Sequence, residues 1–263
     1  MCKKMVQKAF DIVKARWPEA VLIVVLQAAL MLLAEQLLSI SQIEQGVKPP
    51  QLSFWAGFLL GMGSILYVVL WQMIYLGFLK TAAAEGRQAQ VPTELVRSGR
   101  PYFWRIVFFQ VLLGFVVFFI NGILVGIGGA IFWKGRPLSQ IPEWFGQLCG
   151  LAALLIVLKP MLLVPARVLV YDESALEAFV KVRYYRIVHM DSLPQLALVG
   201  VGVIALTTLL GTTITPKTIW HVVFMGLHHL IFSFVFLMPA LTAVLWMQQQ
   251  YDKEHYSQEE NTE

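Results

Sequence analysis

Along this chain, long runs of apolar residues alternate with short polar ones, and six of the apolar runs are long enough to matter. A bilayer core of about 30 Å takes roughly 20 apolar residues of helix to cross, and the stretches near 18–41, 52–79, 106–132, 145–170, 193–214 and 219–247 all meet that length. The pattern predicts an all-α, polytopic membrane bundle of six transmembrane helices within residues 1–247. Residues 248–263 form an acidic tail with no apolar repeat to bury, for which no fixed structure is expected. The first apolar run is too long for the core of a cleavable secretory signal and lacks a small-residue cleavage pattern, so it reads as a retained anchor.

Three of the polar gaps carry a weaker, helical periodicity. Val6, Phe10, Val13 and Trp17 recur at three-or-four spacing, with Lys3, Lys4, Lys8, Asp11 and Lys14 over much of the other face. Leu176, Phe179, Val180, Tyr184 and Ile187 repeat the arrangement, and Ser174 with Glu177 supplies the S-x-x-E signature of a capping box. Between them, Thr93 is placed to cap a short helix carrying Leu95 and Val96, which Gly99 and Pro101 should interrupt. Phe10, Leu95 and Phe179 recur at about 85-residue intervals, so the pattern predicts short amphipathic helices, each leading into a hairpin of two spans, repeated threefold.

Composition agrees with immersion in lipid. With 58% hydrophobic residues, 14% charged and a mean hydropathy of +0.68, a soluble domain of 263 residues would have too little polar surface to cover itself. Charge adds sidedness: leaving Lys159 aside, fifteen Lys and Arg fall in the N-terminal segment, alternate gaps and tail, against four in the other gaps. By the positive-inside rule both termini and the two long basic loops are cytoplasmic, which needs an even number of crossings. Trp17, Trp104 and Trp246 fall near the inner ends of spans, and Trp55, Trp133, Trp144 and Trp220 near the outer ends. The net charge of +4 lies in strips beside the spans, which points to anionic lipid rather than nucleic acid. Cys2 and Cys149 lie in different environments and are not expected to pair.

Candidate chemistry is sparse. Lys159 falls inside the fourth span, where insertion scales put an isolated lysine at about 2.5–3.5 kcal/mol, so it should face protein or water. Gln27 and Gln72 lie at comparable depth, which makes Lys159, Gln27 and Gln72 a candidate intramembrane polar site. Pro160 and Pro165 free backbone carbonyls nearby, at Ile156 and Met161, and should kink the span. Glu35, Asn121, His228 and His229 form a second candidate group in the outer half. Too few Cys and His at ligand spacing are present for zinc, and His221 with His228 does not supply a haem pair from separate helices, so no metal or cofactor is expected. Gly57 with Gly61, Gly122 with Gly126 and Gly146 with Gly150 have the small-xxx-small spacing that lets helices approach closely. No nucleophile elbow, zinc-protease or phosphate-loop pattern occurs, which disfavours an enzyme.

The stretch Glu177-Ala178-Phe179-Val180-Lys181 before the fifth span, and Pro239-Ala240-Leu241-Thr242-Ala243-Val244-Leu245 running into Tyr251-Asp252, resemble uncharacterised bacterial six-span inner-membrane families, including the membrane domain beside some glycerophosphodiester phosphodiesterases. The resemblance implies an inner-membrane location and an accessory role in envelope or lipid physiology. It implies no catalytic residue, and the phosphodiesterase domain itself is absent. The function expected is a non-enzymatic accessory or scaffold, with Phe179, Lys181, Arg183 and Arg186 as the candidate contact to lipid or a protein partner. The alternatives are a small transporter or channel built around Lys159 and an intramembrane lipid-modifying enzyme.

Overall fold

The computed structural model describes residues 2–41, 54–85, 88–132, 143–185, 199–200, 202–203 and 219–259. Among the described residues the regular structure is entirely helical. The helices are α1 (Cys2–Ala15), α2 (Trp17–Ser41), α3 (Phe54–Glu85), α4 (Pro92–Phe132), α5 (Glu143–Tyr171), α6 (Ala175–Val182) and α7 (Ile219–Glu259). Stretches within α3 (Met62–Ala84), α4, α5 (Leu148–Tyr171) and α7 (Val223–Glu254) are long and apolar enough to cross a bilayer, with mean hydropathies of 1.7, 2.5, 2.2 and 2.2. Among the described residues α1 and α2 pass the same test only as a pair, bent by 91°. This architecture is compatible with a multi-pass membrane protein. The predicted fifth span, 193–214, lies almost wholly outside the described residues; at its start Gly200 abuts Val235 of α7.

The three polar segments adopt three different dispositions. The first is α1, set across α2 with its Ala9, Ile12 and Val13 buried and Phe10 left exposed. Helical hydrogen bonding runs into the corner, from Arg16 N to Ile12 O and from Ala20 N to Arg16 O, and Pro18 then contributes no N–H to the first turn of α2. The middle segment is a correction to the sequence reading. It is not a short helix ended by Gly99 and Pro101 but the first part of α4, which continues unbroken through Pro101 to Phe132. Thr93 is not its cap: the helix opens on Pro92, the Val91 carbonyl accepts from Glu94 N and Leu95 N, and the Glu94 carboxylate accepts from Val91 N at 3.4 Å. A mid-helix proline costs about 3 kcal/mol; here Leu95, Gly99, Tyr102 and Phe103 around it are buried, and that packing offsets the lost donor.

The third segment, α6, has the predicted capping box, with Ser174 Oγ accepting from Glu177 N and the Glu177 carboxylate accepting from Ser174 N. Its course is antiparallel to α5. Arg183, at its far end, meets Lys159, twelve residues before the end of α5 at Tyr171, or about 18 Å of helix. Ala178 and Val182 face the bundle, while Leu176, Phe179, Val180 and Tyr184 are exposed. The equivalent positions Phe10, Leu95 and Phe179 are therefore exposed, fully buried and exposed.

Two further expectations are revised. Residues from Gln248 to Glu259, expected to lack structure, continue α7, with Gln248 donating to Asp252 at 2.9 Å and Tyr171 donating to Glu254 at 2.9 Å. The surroundings of Gly57 and Gly61 lie outside the described residues, and close helix contact is not made at Gly122, Gly126 or Gly146, where a methyl would meet nothing within 4 Å, nor at Gly150, where it would stand an ordinary 3.9 Å from Asn121 Oδ1. It is made by Gly77 of α3 and Gly99 of α4, where added Cβ atoms would lie 1.8 Å from Leu95 O and 1.9 Å from Met73 O. The best-packed core follows from that contact, joining Leu76, Phe78 and Leu79 to Leu95, Ile106, Leu163 and Leu241. Farther along α4, Phe108, Phe115, Phe118 and Phe119 are exposed, as side chains facing hydrocarbon would be.

Candidate functional site

Two arginine–glutamate pairs, one buried and one partly buried, hold the corners at which α1 meets α2 and α5 meets α6. At the first, Arg16 is wholly buried, ion-paired to Glu19, donating to Thr81 Oγ1 at 2.9 Å and lying 4.7 Å from the Phe78 ring centre. The other Glu19 oxygen accepts from Gln90 N at 2.8 Å, which ties the segment before α4 to the same corner. Arg16 Nη1 is buried with no hydrogen-bond partner among the described residues. A pair this deep is held by geometry: losing one partner would leave the other's charge uncompensated.

At the second corner Asp172 takes a left-handed backbone conformation, φ 55°, so the chain reverses between α5 and α6. Arg105 of α4 fixes it by donating to Asp172 Oδ1 at 2.7 Å and to its carbonyl at 3.3 Å. Arg167 forms a fork on Glu173, at 2.8 and 3.1 Å, donates to Tyr185 Oη and stacks 4.1 Å over Tyr171. Lys181 of α6 donates to the same carboxylate. Burial raises the Glu173 carboxyl, but the hydrogen bonds from Arg167 and Lys181 outweigh it and hold the group below the usual carboxylate range. Glu177 is also held low, by the Ser174 hydroxyl and backbone N–H. Lys80 of α3 completes the corner, donating to Leu169 O at 2.6 Å, where the carbonyls that a helix end leaves without helical donors attract a cation.

Between α2, α3, α4, α5 and α7 lies a cavity of about 450 Å³. Gln27, Gln72 and Gln110 give it carboxamides from three helices, and Gln72 Nε2 donates to Gln110 Oε1 at 3.2 Å. The remaining wall is mostly apolar, including Leu113, Val157, Phe232 and Phe236. Met161 and Pro165 also face it, and because Pro165 has no N–H the Met161 carbonyl lacks its usual helical donor.

The expected intramembrane polar site is thus divided. Gln27 and Gln72 share the cavity, whereas Lys159 is not among its lining residues and donates instead to Arg183 O at 3.0 Å, at the carbonyl end of α6. The second candidate group is dispersed over several environments. Asn121 lies beside Gly150 of α5, its Oδ1 buried without a hydrogen-bond partner among the described residues, while His229 is buried and its ring lies 5.4 Å from that of the half-buried His228 at a tilt of 60°. The side chains of Glu35 and His221 lie outside the described residues, as does Arg186. In the contact set, Phe179 leans on Phe109, and Arg183 donates to the hydroxyl of Tyr184 at 2.6 Å.

Sequence reasoning missed Gln110, although the signal that selected Gln27 and Gln72, an amide inside an apolar run, was present five residues after Arg105. It also took Arg16 and Arg167 as flanking positive charge; no local signal separates a headgroup arginine from one buried on a glutamate. Comparison with protein-family models, curated proteins and solved structures gives no match.

Proposed function

We propose that this chain is a multi-pass protein of the bacterial inner membrane that acts as a non-enzymatic accessory or scaffold in envelope or lipid physiology. In this reading it crosses the membrane six times, keeps both termini in the cytoplasm and holds anionic lipid at its basic end through α6. The observation that carries it is the outer face of α6: Leu176 is 75% exposed and Phe179 and Val180 are exposed beside Lys181 and Arg183. Apolar side chains that enter a headgroup boundary next to cations that meet lipid phosphate are the physical requirement for such contact. Phe10, Trp17 and Trp104, also exposed, extend the same chemistry to α1, the start of α2 and α4. The uneven distribution of Lys and Arg supports the orientation, and the resemblance to six-span envelope families supports the role.

The test is lipid-dependent stability of the purified protein in neutral detergent, because a ligand that binds the folded state raises its melting temperature. Phosphatidylglycerol should stabilise the wild type more than phosphatidylcholine does, and the difference should shrink in Lys181→Gln/Arg183→Gln. Equal effects of the two lipids on the wild type would refute the anionic-lipid reading. Reporter fusions showing the C-terminus outside the cytoplasm would refute the topology. A transport path through Lys159 gains no support, since its amine is engaged by Arg183 away from the cavity.

A further inference from the structure

The glutamine-lined cavity is distinct from the lipid-facing surface of α6 and has a chemistry of its own. We infer that it binds an uncharged amphiphile, with a hydroxyl or carbonyl head on the three carboxamides and a hydrocarbon chain along the apolar wall.

Size, shape and charge each narrow the occupant. About 450 Å³ lies in the range of small-molecule pockets. The lining runs from Leu154 to Ala166 on α5 and from Phe232 to Val244 on α7, about 18 Å along each helix, so the space is elongated. None of the described residues lining it is charged. An ionic head would therefore lose its hydration with no counter-charge to replace it, which disfavours fatty acids and phospholipid headgroups inside the cavity. Carboxamides both donate and accept, so three of them suit a neutral head that does the same. Gln72 and Gln110 already form one hydrogen bond across the space, at 3.2 Å, which fixes two of the three relative to each other.

The experiment uses the full chain in neutral detergent with two photoreactive probes of equal chain length, a diazirine-bearing long-chain alcohol and the matching carboxylic acid, at pH 8. The alcohol should label peptides 110–117, 154–166 and 232–244, saturably and with competition by unlabelled alcohol. The acid should label them at least tenfold less. Gln72→Leu/Gln110→Leu should raise the half-saturating alcohol concentration about fivefold or more, the loss expected for one or two neutral hydrogen bonds. Val157→Phe, which fills the wall, should abolish saturable labelling. If either variant fails to elute as a single folded species, the decision rests on the wild type, where competition and preference for the alcohol must both hold. Labelling that does not saturate, equal labelling by acid and alcohol, or folded variants that label like the wild type would each overturn the assignment.

Discussion

The α3–α4 contact makes the sharpest prediction. A methyl group introduced by Gly99→Ala would stand 1.9 Å from Met73 O and 2.8 Å from Gly77 N, where ordinary contact begins at 3.4 Å, so the α3 backbone must retreat by about 1.5 Å. No rotamer change relieves this, because the obstructing atoms are main chain. A gap of 0.5–1 Å already forfeits a quarter to a half of a dispersion well, and Leu95, Tyr102, Phe103 and Ile106 are all packed on this side of α4. Overpacking costs typically 1–3 kcal/mol, and a backbone obstruction places this case near about 3 kcal/mol. For a chain of this size that is a fall in melting temperature of roughly 6–12 °C, measurable by thermal unfolding in detergent micelles. Gly77→Ala, 1.8 Å from Leu95 O, should behave alike, and the double variant should lose less than the sum because one substitution already separates the helices. Gly122→Ala is the control: nothing lies within 4 Å, so it should stay within about 0.5 kcal/mol of the wild type. The reasoning fails if Gly99→Ala melts within 1 °C of the wild type by the same assay, or if Gly122→Ala is the more damaging change.

Three other outcomes follow from the corners. Arg16→Met strands the buried Glu19 carboxylate and should cost about 3–5 kcal/mol, more than Arg16→Met combined with Glu19→Gln; equal losses would show that the pair is not the cause. Because Glu173 is held below its ordinary value of 4.5, its ion pairs stabilise fully above that pH and are lost as pH falls through the folded-state value. The melting-temperature gap between wild type and Glu173→Gln should thus be widest near neutrality and close below pH 4.5, and a gap constant with pH would contradict the assignment. Lys159→Met removes the cation at the carbonyl end of α6 and should weaken its docking by about 1 kcal/mol. Amide exchange in residues 175–183 should then rise about fivefold while α5 is unchanged, and an unaltered rate would return Lys159 to a headgroup role.

Much of the fold was legible because it rests on local chemistry. Apolar runs of 20 or more residues mark α3, α4, α5 and α7 wherever their neighbours lie, since lipid demands a satisfied backbone and little else. The capping box at Ser174 and Glu177 was legible for the same reason, as every atom of it lies within four residues. Pro101 shows the limit of local rules. Its donor is missing as expected, yet the helix continues because Leu95, Gly99, Tyr102 and Phe103 are buried around it, and the partner that buries them lies on another helix. A long-range contact overrides a short-range preference when several buried side chains oppose one lost hydrogen bond.

The same asymmetry explains the site. Gln27 and Gln72 were found because an amide is costly in hydrocarbon wherever the helix points, but which amides share a space depends on how helices rotate about their axes. That rotation is set between α3 and α4 by Gly77 and Gly99, which lie on different helices and form no motif in the sequence, while the well-spaced Gly122 and Gly126 face open space. Lys159 parts from the two glutamines for a related reason: α6 folds back along α5, and the Arg183 carbonyl supplies a partner that a linear reading does not place beside it. A lysine inside a span is therefore ambiguous until the return path of the next segment is known. Here that path is dictated by the left-handed turn at Asp172 and the grip of Arg105 and Arg167 on the two acidic residues beside it. Those contacts aim α6 down α5, bring its carbonyl end to Lys159, and so leave the cavity to three uncharged amides.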